Sequence, residues 1–220
     1  MQQKTVIFDL DGTLIDSIED IAIATNIVLE ELGFQQHPLD AYQNFVGDGA
    51  LMLLTNALPN GIDENIINNA LKLFKKYYGD RIHKNTKPYE GIYDMLDLLT
   101  NQNTTLAVLS NKPHEFTVEF IEHFFSQYPF VEVHGQKDDV PKKPNAQGAL
   151  NISNALNIAT EKIFFVGDTA TDMKTAQNAG MISVGVSWGY RNEAELISAG
   201  ANYIAKNPQH LTQILLKTNI

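Results

Sequence analysis

The chain has 220 residues, 44% of them hydrophobic, and its 16 Lys and Arg residues against 26 Asp and Glu residues give a formal net charge of −10. Stable complexes with nucleic acid or anionic membranes need lysines and arginines to neutralise phosphates, so this composition predicts neither partner. The chain has no cysteine, which excludes disulfides, thiolate catalysis and cysteine-ligated metals.

The N-terminal residues lack the basic start, apolar stretch and small-residue cleavage site of a signal peptide. No apolar run approaches the ~20 residues that are needed to span a bilayer. We therefore expect a cytoplasmic protein. The sequence leaves open whether it is a monomer or a homodimer.

The first predicted strand, Thr5–Phe8, is followed by a long segment in which only helices are predicted. Apolar residues recur at helical spacing before Gly33, and again over Phe45–Leu58 and Ile66–Tyr78. A crossover of this length is too long for one connecting helix. We therefore predict a helical domain of residues 15–90 inserted into a core formed by residues 1–14 and 91–220. An elaborate crossover packed rigidly on the sheet is the alternative.

From Ile92 onward, helical patterns alternate with short apolar runs. The runs are rich in β-branched or aromatic residues and do not alternate with polar ones, as expected for strands that are covered on both faces. They are Leu106–Leu109, Phe130–Val133, Ile163–Val166 and Ile182–Val186. Helices are predicted from Pro113 and over Thr169–Ala179, the latter ended by Gly180. This alternation predicts an α/β fold with a doubly wound parallel sheet.

Polar residues follow three of the five predicted strands. They are Asp9 to Thr13 after the first, Ser110, Asn111 and Lys112 after the second, and Gly167, Asp168 and Thr169 after the fourth. In open α/β sheets, ligands bind at the carboxyl ends of the strands. We therefore expect these residues to form one site.

Asp9 and Asp11 are two residues apart on an extended segment, so their side chains can project to the same side. One carboxylate can attack phosphorus while the other handles the proton of the leaving group. A hairpin turn at Asp11-Gly12 is the competing interpretation. A calcium loop is excluded, because its sixth and twelfth positions hold Leu14 and Asp20 instead of Gly and Glu.

Asp168 and Asp172 are four residues apart across a predicted helix start, where simple capping would also favour an acidic residue. Together with Asp9, they offer the carboxylates that Mg²⁺ prefers. Ser110 and the backbone N–H of Asn111 could donate to a phosphate. Lys142 and Lys143, which precede Pro144, could supply the cation that carboxylates and phosphate require.

These residues resemble the haloacid dehalogenase superfamily over the whole chain. Its first motif matches Asp9–Ser17 at every specified position, its second matches Ser110-Asn111, its third matches Lys143-Pro144 and its fourth matches Gly167–Asp172. The resemblance implies a Rossmann-like core with a mobile helical cap. It implies a Mg²⁺-dependent phosphomonoester hydrolase that forms an aspartyl-phosphate.

The same resemblance implies a role for each residue. Asp9 would be the nucleophile, Asp11 the general acid and base, and Lys143 a stabiliser of charge. The implied metal ligands are Asp9, Asp11, Asp168 and Asp172, and the implied phosphate or substrate contacts are Ser110, Asn111, Gly12, Thr13, Gly47 and Gly49.

Within the superfamily, the chain most resembles phosphoglycolate phosphatases. The supporting segments are Val46–Gly49, Lys87–Gly91 and Trp188–Arg191, whereas Glu90 and Ala146 stand where that family has proline. A small anionic phosphate ester is the substrate that this resemblance implies, with phosphoglycolate the leading candidate. The charge of Asp48 conflicts with that substrate unless the side chain faces away, and Arg191 could compensate for it.

Other functions remain open. A phosphomutase of the β-phosphoglucomutase type or a pyrophosphatase would use the same core. A response-regulator-like phospho-acceptor also combines acidic residues, Mg²⁺, Ser or Thr and Lys on a doubly wound sheet, but it is a single small domain. A catalytically silent binding protein would not need every motif residue.

Overall fold

The computed structural model describes residues 4–218, which form a six-stranded parallel sheet with helices on both faces. The strands are β1 (Thr5–Phe8), β2 (Ile15–Asp16), β3 (Lys87–Pro88), β4 (Thr105–Pro113), β5 (Phe130–Gln136), β6 (Ile163–Gly167), β7 (Ile182–Val186) and β8 (Tyr203–Ala205). The order across the sheet is β5-β4-β1-β6-β7-β8, and every neighbouring pair is parallel. The predicted doubly wound α/β fold is confirmed.

Ten α-helices, with short 3-10 turns at Leu39–Ala41 and Thr160–Lys162, complete the described part of the chain. They are α1 (Ile18–Glu31), α2 (Tyr42–Phe45), α3 (Ala50–Ala57), α4 (Glu64–Gly79), α5 (Ile92–Asn101), α6 (His114–Phe125), α7 (Gln147–Leu156), α8 (Ala170–Ala179), α9 (Glu193–Ser198) and α10 (Pro208–Lys217). No helix within residues 4–218 is long and apolar enough to cross a bilayer.

The central strand β1 is fully buried, and its alternating side chains belong to two separate hydrophobic clusters. Val6 and Phe8 pack with α5, α6 and α10, whereas Ile7 packs with α7 and α8. This alternation follows from the two-residue period of a strand and explains why the run has no polar positions.

The predicted strands lie in the sheet, with two differences. The second predicted strand ended at Leu109, but β4 continues to Pro113, which pairs with Gln136 of β5. Ser110 to Lys112 therefore lie within the strand rather than after it. The short edge strand β8 was not predicted, because three residues of which one is exposed and one half-buried leave no continuous apolar run.

Between β2 and β3 the chain forms α1 to α4, which agrees with the helices predicted for residues 15–90. The predicted single helix over Phe45–Leu58 is wrong. The helix is interrupted by a loop, Val46–Gly49, in which Gly47 and Gly49 have φ values of 115° and 87°. Glycine adopts such values without steric penalty, and these two positions end α2 and begin α3.

The two ends of the helical segment leave the core side by side. The two-residue strands β2 and β3 pair antiparallel, with Ile15 opposite Pro88. The buried carboxylate of Asp20 accepts four hydrogen bonds from the backbone and side chains of Asn85 and Thr86. The predicted boundaries, after residue 14 and after residue 90, fall beside this connection, and the division into two domains stays a prediction.

Candidate active site

Three neighbouring strands, β4, β1 and β6, place their polar ends at one edge of the sheet. The backbone N–H of Asp9 donates to the carbonyl of Val166 at 2.8 Å, which continues the pairing of β1 with β6 and fixes the start of the Asp9–Thr13 loop. Carboxylate oxygens of Asp9, Asp168 and Asp172 lie within 4.8 Å of one another, and all three residues are buried.

Asp168 is held by backbone groups and by very close packing. Its Oδ2 accepts a hydrogen bond of 2.8 Å from the backbone N–H of Tyr190. A Cβ atom added to Gly12 or Gly189 would lie 2.2 or 2.5 Å from that same oxygen. Only glycine allows this approach, so these two residues define the space in which the carboxylate sits. Gly12 and Thr13, predicted as phosphate contacts, pack against Asp168, since the Thr13 hydroxyl lies 3.5 Å from Oδ1.

Asp172 both caps a helix and binds a lysine. Its Oδ2 accepts from the Thr169 backbone N–H, and its own backbone N–H donates to the Thr169 hydroxyl, so the two residues form a capping box at the start of α8. The Thr169 hydroxyl also donates to Oδ2. Its Oδ1 accepts from Nζ of Lys143 at 2.6 Å. Asp172 can therefore cap α8 and belong to the carboxylate cluster at the same time.

Lys143 is buried between two of the carboxylates. Its Nζ lies 2.6 Å from Asp172 Oδ1 and 2.8 Å from Asp9 Oδ1. The side chain of Asn111 holds the lysine backbone, because Oδ1 accepts from the Lys143 N–H at 2.8 Å and Nδ2 donates to the Lys143 carbonyl at 3.1 Å. The peptide bond to Pro144 is cis. Asn111, predicted to bind phosphate, therefore uses its side chain to position this lysine.

The three carboxylates place like charges close together in a buried region. Burial, with further contributions from Asp172 and Asp11, raises the pKa of Asp9 to about 7 although Lys143 opposes the shift. Burial, followed by the charges of Asp172 and Asp9, raises the pKa of Asp168 well above its ordinary value. Burial alone would lower the pKa of Lys143, but Asp172 and Asp9 raise it above its ordinary value.

This donor set fits a divalent cation. Among the residues that the structure describes, Lys143 is the one ammonium that pairs with this cluster, and it contacts Asp9 and Asp172. Oδ1 of Asp9 is buried, and the Lys143 ammonium lies 2.8 Å from it. Oxygen ligands from a few carboxylates are what Mg²⁺ and similar hard cations bind, and a bound cation would relieve the repulsion.

The Asp11 side chain lies outside this cluster, and its assignment as a metal ligand stays a prediction. Its Oδ1 accepts from the hydroxyl of Ser17, and both of its oxygens accept from Nζ of Lys112, at 2.9 and 3.1 Å. Nζ of Lys112 also donates to the hydroxyl of Tyr78 at 2.6 Å. Lys112 was grouped with the polar residues that follow the predicted strands, but no role was predicted for it.

A cavity of about 60 Å³ lies between the strand ends and the helical segment. Its polar lining includes Asp9, Asp11, Ser110 and Lys112 from the strand ends. Its apolar lining comes from the helical segment and includes Ile21, Val46, Ala50, Leu53 and Phe74. Gly47 and Gly49, the predicted substrate contacts of this segment, also line it. Asp9, Asp11 and Ser110 therefore border the same cavity.

Side chains of the core hold the 46–49 loop (Val46–Gly49) over this cavity. Lys142 Nζ donates to the Asp48 carbonyl at 2.7 Å, and the Thr171 hydroxyl donates to the Asp48 carboxylate at 2.8 Å. Asn111 Nδ2 donates to the Gly47 carbonyl at 3.2 Å. Neither Asp48 nor Arg191 lines the cavity. The Asp48 carboxylate therefore faces away from the cavity.

Arg191 binds backbone carbonyls at the end of α2. Its guanidinium donates to the carbonyls of Gln43 and Val46, the latter at 2.9 Å, and Nε lies 3.5 Å from Glu195. Arg191 does not line the cavity, and its role as a compensating charge for substrate stays a prediction. The residue donates hydrogen bonds to carbonyl groups that the short helix leaves unpaired.

A buried carboxylate beside an ammonium, a cation-binding cluster and a second carboxylate on one small cavity is an arrangement suited to phosphoryl transfer. The family model for haloacid dehalogenase-like hydrolases matches residues 6–186. The chain belongs to the haloacid dehalogenase-like hydrolases.

Comparison with relatives indicates which kind of hydrolase the chain is. The chain is 28% identical to a phosphoglycolate phosphatase of Aliivibrio fischeri over 96% of both chains, and 34% identical to one of Psychrobacter arcticus over 86% of both. A solved structure from Lactobacillus delbrueckii subsp. bulgaricus, described as a candidate phosphoglycolate phosphatase, has a TM-score of 0.92 at 28% identity and covers 99% of this chain and 100% of that one. Family and relatives together identify the chain as a phosphatase.

Proposed function

We propose that this chain hydrolyses small anionic phosphate monoesters with Mg²⁺ as cofactor and Asp9 as the nucleophile. The observation that carries the proposal is the position of Asp9. Its carboxylate borders the cavity, lies 2.8 Å from Lys143 Nζ and belongs to the buried cluster with Asp168 and Asp172. A nucleophile for phosphoryl transfer needs this combination of access, a neighbouring cation and a metal site.

The chain's own residues supply the two half-reactions. In the first, an oxygen of Asp9 attacks phosphorus, an aspartyl-phosphate forms, and Asp11 gives a proton to the departing alcohol oxygen. In the second, Asp11 takes a proton from water as that water attacks phosphorus, and Asp9 is released with inorganic phosphate. Lys143 and the Ser110 hydroxyl stabilise the charge on the phosphoryl oxygens.

Asp9, Asp168 and Asp172 are the residues that would hold Mg²⁺. A bound divalent cation would neutralise charge on the phosphoryl oxygens as the phosphorus–oxygen bonds change. Its identity as Mg²⁺ rests on the all-oxygen donor set, which suits hard cations.

The helical segment of residues 15–90 acts in this proposal as a cap on the core of residues 1–14 and 91–220. Its apolar side chains, together with Gly47 and Gly49, close the side of the cavity opposite Asp9. A closed cavity excludes water while the aspartyl-phosphate forms, and it limits the size of the substrate.

Phosphoglycolate is the substrate that we propose. Several relatives carry the name phosphoglycolate phosphatase, and the cavity of about 60 Å³ corresponds to roughly four to six water molecules. That space suits a short ester better than a nucleotide or a sugar phosphate. The hydrogen bond from Thr171 to Asp48 removes the objection that Asp48 would repel the substrate carboxylate.

A panel of phosphate esters tests the proposal. kcat/KM is measured with Mg²⁺ and with EDTA for phosphoglycolate, glucose 6-phosphate, β-glucose 1-phosphate, nucleoside monophosphates, pyrophosphate and p-nitrophenyl phosphate. We expect phosphoglycolate to rank among the best, and no turnover in EDTA. Isomerisation of β-glucose 1-phosphate would favour a phosphomutase, preference for pyrophosphate a pyrophosphatase, and a stable phosphoprotein without turnover a phospho-acceptor.

The net charge of −10 supports our inference that the chain has no nucleic-acid partner. A cytoplasmic location stays an expectation from the sequence. A monomer or a homodimer is expected, and sedimentation of the purified protein distinguishes the two.

A further inference from the structure

A buried lysine lies between the helical segment and Asp11, and no step of the proposed reaction uses it. The side chain of Lys112 is 3% exposed. Its Nζ donates to both carboxylate oxygens of Asp11, at 2.9 and 3.1 Å, and to the hydroxyl of Tyr78, at 2.6 Å. An ammonium has three donors, so these three acceptors use all of them.

We propose that Lys112 is a positioning residue that holds the Asp11 carboxylate at the leaving-group oxygen, and that Tyr78 of α4 holds Lys112 in turn. This inference rests on the proposed function, because it assumes that Asp11 protonates the departing alcohol. It extends that function to two residues, one from the end of β4 and one from the helical segment.

Aromatic rings confine the ammonium to one place. Nζ lies 4.6 Å from the centroid of the Tyr78 ring and 4.7 Å from that of Phe120. Tyr78 is itself buried and packs against Phe74 and Phe116, with centroids 5.2 and 5.3 Å away. Lys112 therefore cannot follow a displaced Asp11 unless these packed rings also move.

Stability does not explain this arrangement. Removing an ammonium from water is costly, and replacing a buried ion pair with well-packed apolar residues is often neutral or stabilising. A lysine buried against the Tyr78 and Phe120 rings is therefore better explained by its effect on Asp11. Asp11 keeps 19% of its side-chain surface exposed and borders the cavity, so it remains accessible to substrate.

Position is the property that a proton donor needs most. A general acid must lie within hydrogen-bonding reach of the oxygen that it protonates, and a misplacement of about 1 Å can lower a rate about 10²-fold. Apart from Lys112, the side-chain donor to Asp11 is Ser17, which follows it in the same loop region. Lys112 and Tyr78 add a restraint from outside that region and connect Asp11 to α4.

Leaving-group dependence tests the inference. p-Nitrophenolate departs without protonation, whereas the alcohol of phosphoglycolate or of 2-hydroxyethyl phosphate needs a proton. We expect Lys112→Met to lower kcat/KM about 10²-fold for both alkyl esters and less than about tenfold for p-nitrophenyl phosphate. Tyr78→Phe, which removes one oxygen, should also lower the ratio of kcat/KM for the alkyl esters to kcat/KM for p-nitrophenyl phosphate, but by a smaller factor.

The matched control is Lys75→Met, which removes an exposed lysine of α4 that pairs with Glu115 of α6 at 3.6 Å. It makes the same Lys-to-Met substitution at a lysine that, like Lys112, contacts residues of both α4 and α6. We expect kcat/KM to be unchanged for all three esters. Thermal unfolding of every variant shows whether it is folded. If Lys112→Met does not fold, the ratio for Tyr78→Phe decides the question.

Each outcome has one meaning. Equal losses for alkyl and aryl esters would show a merely structural role and overturn the inference. A loss confined to phosphoglycolate would make Lys112 a ligand of the substrate carboxylate and would also overturn it, as would wild-type rates in both variants. Absence of Mg²⁺-dependent turnover in the wild-type protein would overturn the proposed function itself.

Discussion

The two sides of the cavity are built in different ways. On the core side, Asp9, Asp168 and Asp172 come from strand ends and a helix start, are buried, and are fixed by backbone hydrogen bonds and glycine packing. On the helical side, the 46–49 loop is held over the cavity by hydrogen bonds from core side chains to its carbonyl groups and to one carboxylate.

The core side therefore carries the reacting groups, whereas the loop on the helical side controls access to the cavity. Buried groups at strand ends cannot move without disrupting the sheet, so they suit a reaction that needs fixed distances. Exposed hydrogen bonds to a loop have small net free energies, about 0.5–1.5 kcal/mol each, so the loop can leave and return. We therefore expect substitutions on the core side to lower kcat strongly and substitutions on the helical side to change KM modestly.

The largest effect is expected for Asp9→Asn. The amide cannot act as the nucleophile, so turnover of every ester should fall by at least about 10⁴-fold. The variant should unfold at the wild-type temperature or above it in the absence of Mg²⁺, because the substitution removes one of three crowded charges. Measurable turnover in a folded, homogeneous Asp9→Asn preparation would show that the nucleophile lies elsewhere.

The next effect concerns the metal. Asp168→Asn keeps the shape that fits between Gly12 and Gly189 but removes a cation ligand, so activity should fall at least about 10²-fold at saturating Mg²⁺. Mg²⁺ should raise the unfolding temperature of the wild-type protein, because a ligand that binds the folded state stabilises it. That rise should shrink in the variant.

Asp63→Asn is the control for this substitution, because Asp63 caps α4 far from the cluster and asparagine is an equally good cap. It should retain both activity and the thermal response to Mg²⁺. An equal Mg²⁺ shift in Asp168→Asn would remove that carboxylate from the metal site.

On the helical side, two glycines allow a matched comparison. Gly49 and Gly61 have φ values of 87° and 78°, so alanine at either position should lose about 1–2 kcal/mol of stability. A Cβ at Gly49 would lie 3.1 Å from the Asn111 carbonyl, whereas one at Gly61 would meet nothing within 4 Å. Gly49→Ala should therefore also raise KM about tenfold, equivalent to about 1.4 kcal/mol, with kcat changed less.

Gly61→Ala should leave KM unchanged while unfolding at a similarly lowered temperature. If the two variants have the same KM, contact between the 46–49 loop and the core does not contribute to substrate binding.

The smallest effect is expected for Lys142→Ala. This exposed side chain donates one hydrogen bond to the Asp48 carbonyl, and losing about 0.5–1 kcal/mol should raise KM about two- to fivefold. Lys72→Ala, at an exposed position of α4, is the control and should have no effect. A large fall in kcat for Lys142→Ala would contradict the division between the two sides.

The same division determines what the sequence could predict. Asp9, Ser110 and Asp168 follow apolar runs, and the carboxyl ends of parallel strands meet at one edge, so local pattern was enough to bring them together. The uninterrupted helix over Phe45–Leu58 was predicted wrongly, because the apolar spacing continues across the segment while the positive φ angles of Gly47 and Gly49 interrupt the helix.

Contacts between distant segments were beyond local pattern. The hydrogen bonds of Asp48 to Thr171 and of Lys112 to Tyr78 join residues 123 and 34 positions apart, and they depend on how the helices pack on the sheet. The position of Asp11 outside the carboxylate cluster follows from the same contacts. Strand β8 was missed for a different reason, since a three-residue edge strand carries too few apolar positions to form a pattern.

Trapping the phosphorylated protein tests the central claim most directly. Asp11→Asn protein is mixed with Mg²⁺ and p-nitrophenyl phosphate, whose leaving group needs no proton donor, then quenched in acid and mapped by peptide mass spectrometry. Because the second half-reaction needs Asp11 as base, we predict that one phosphoryl group accumulates on the peptide containing Asp9, and that none appears with EDTA. Turnover without any phosphorylated peptide, or a phosphoryl group on a residue other than Asp9, would contradict the account.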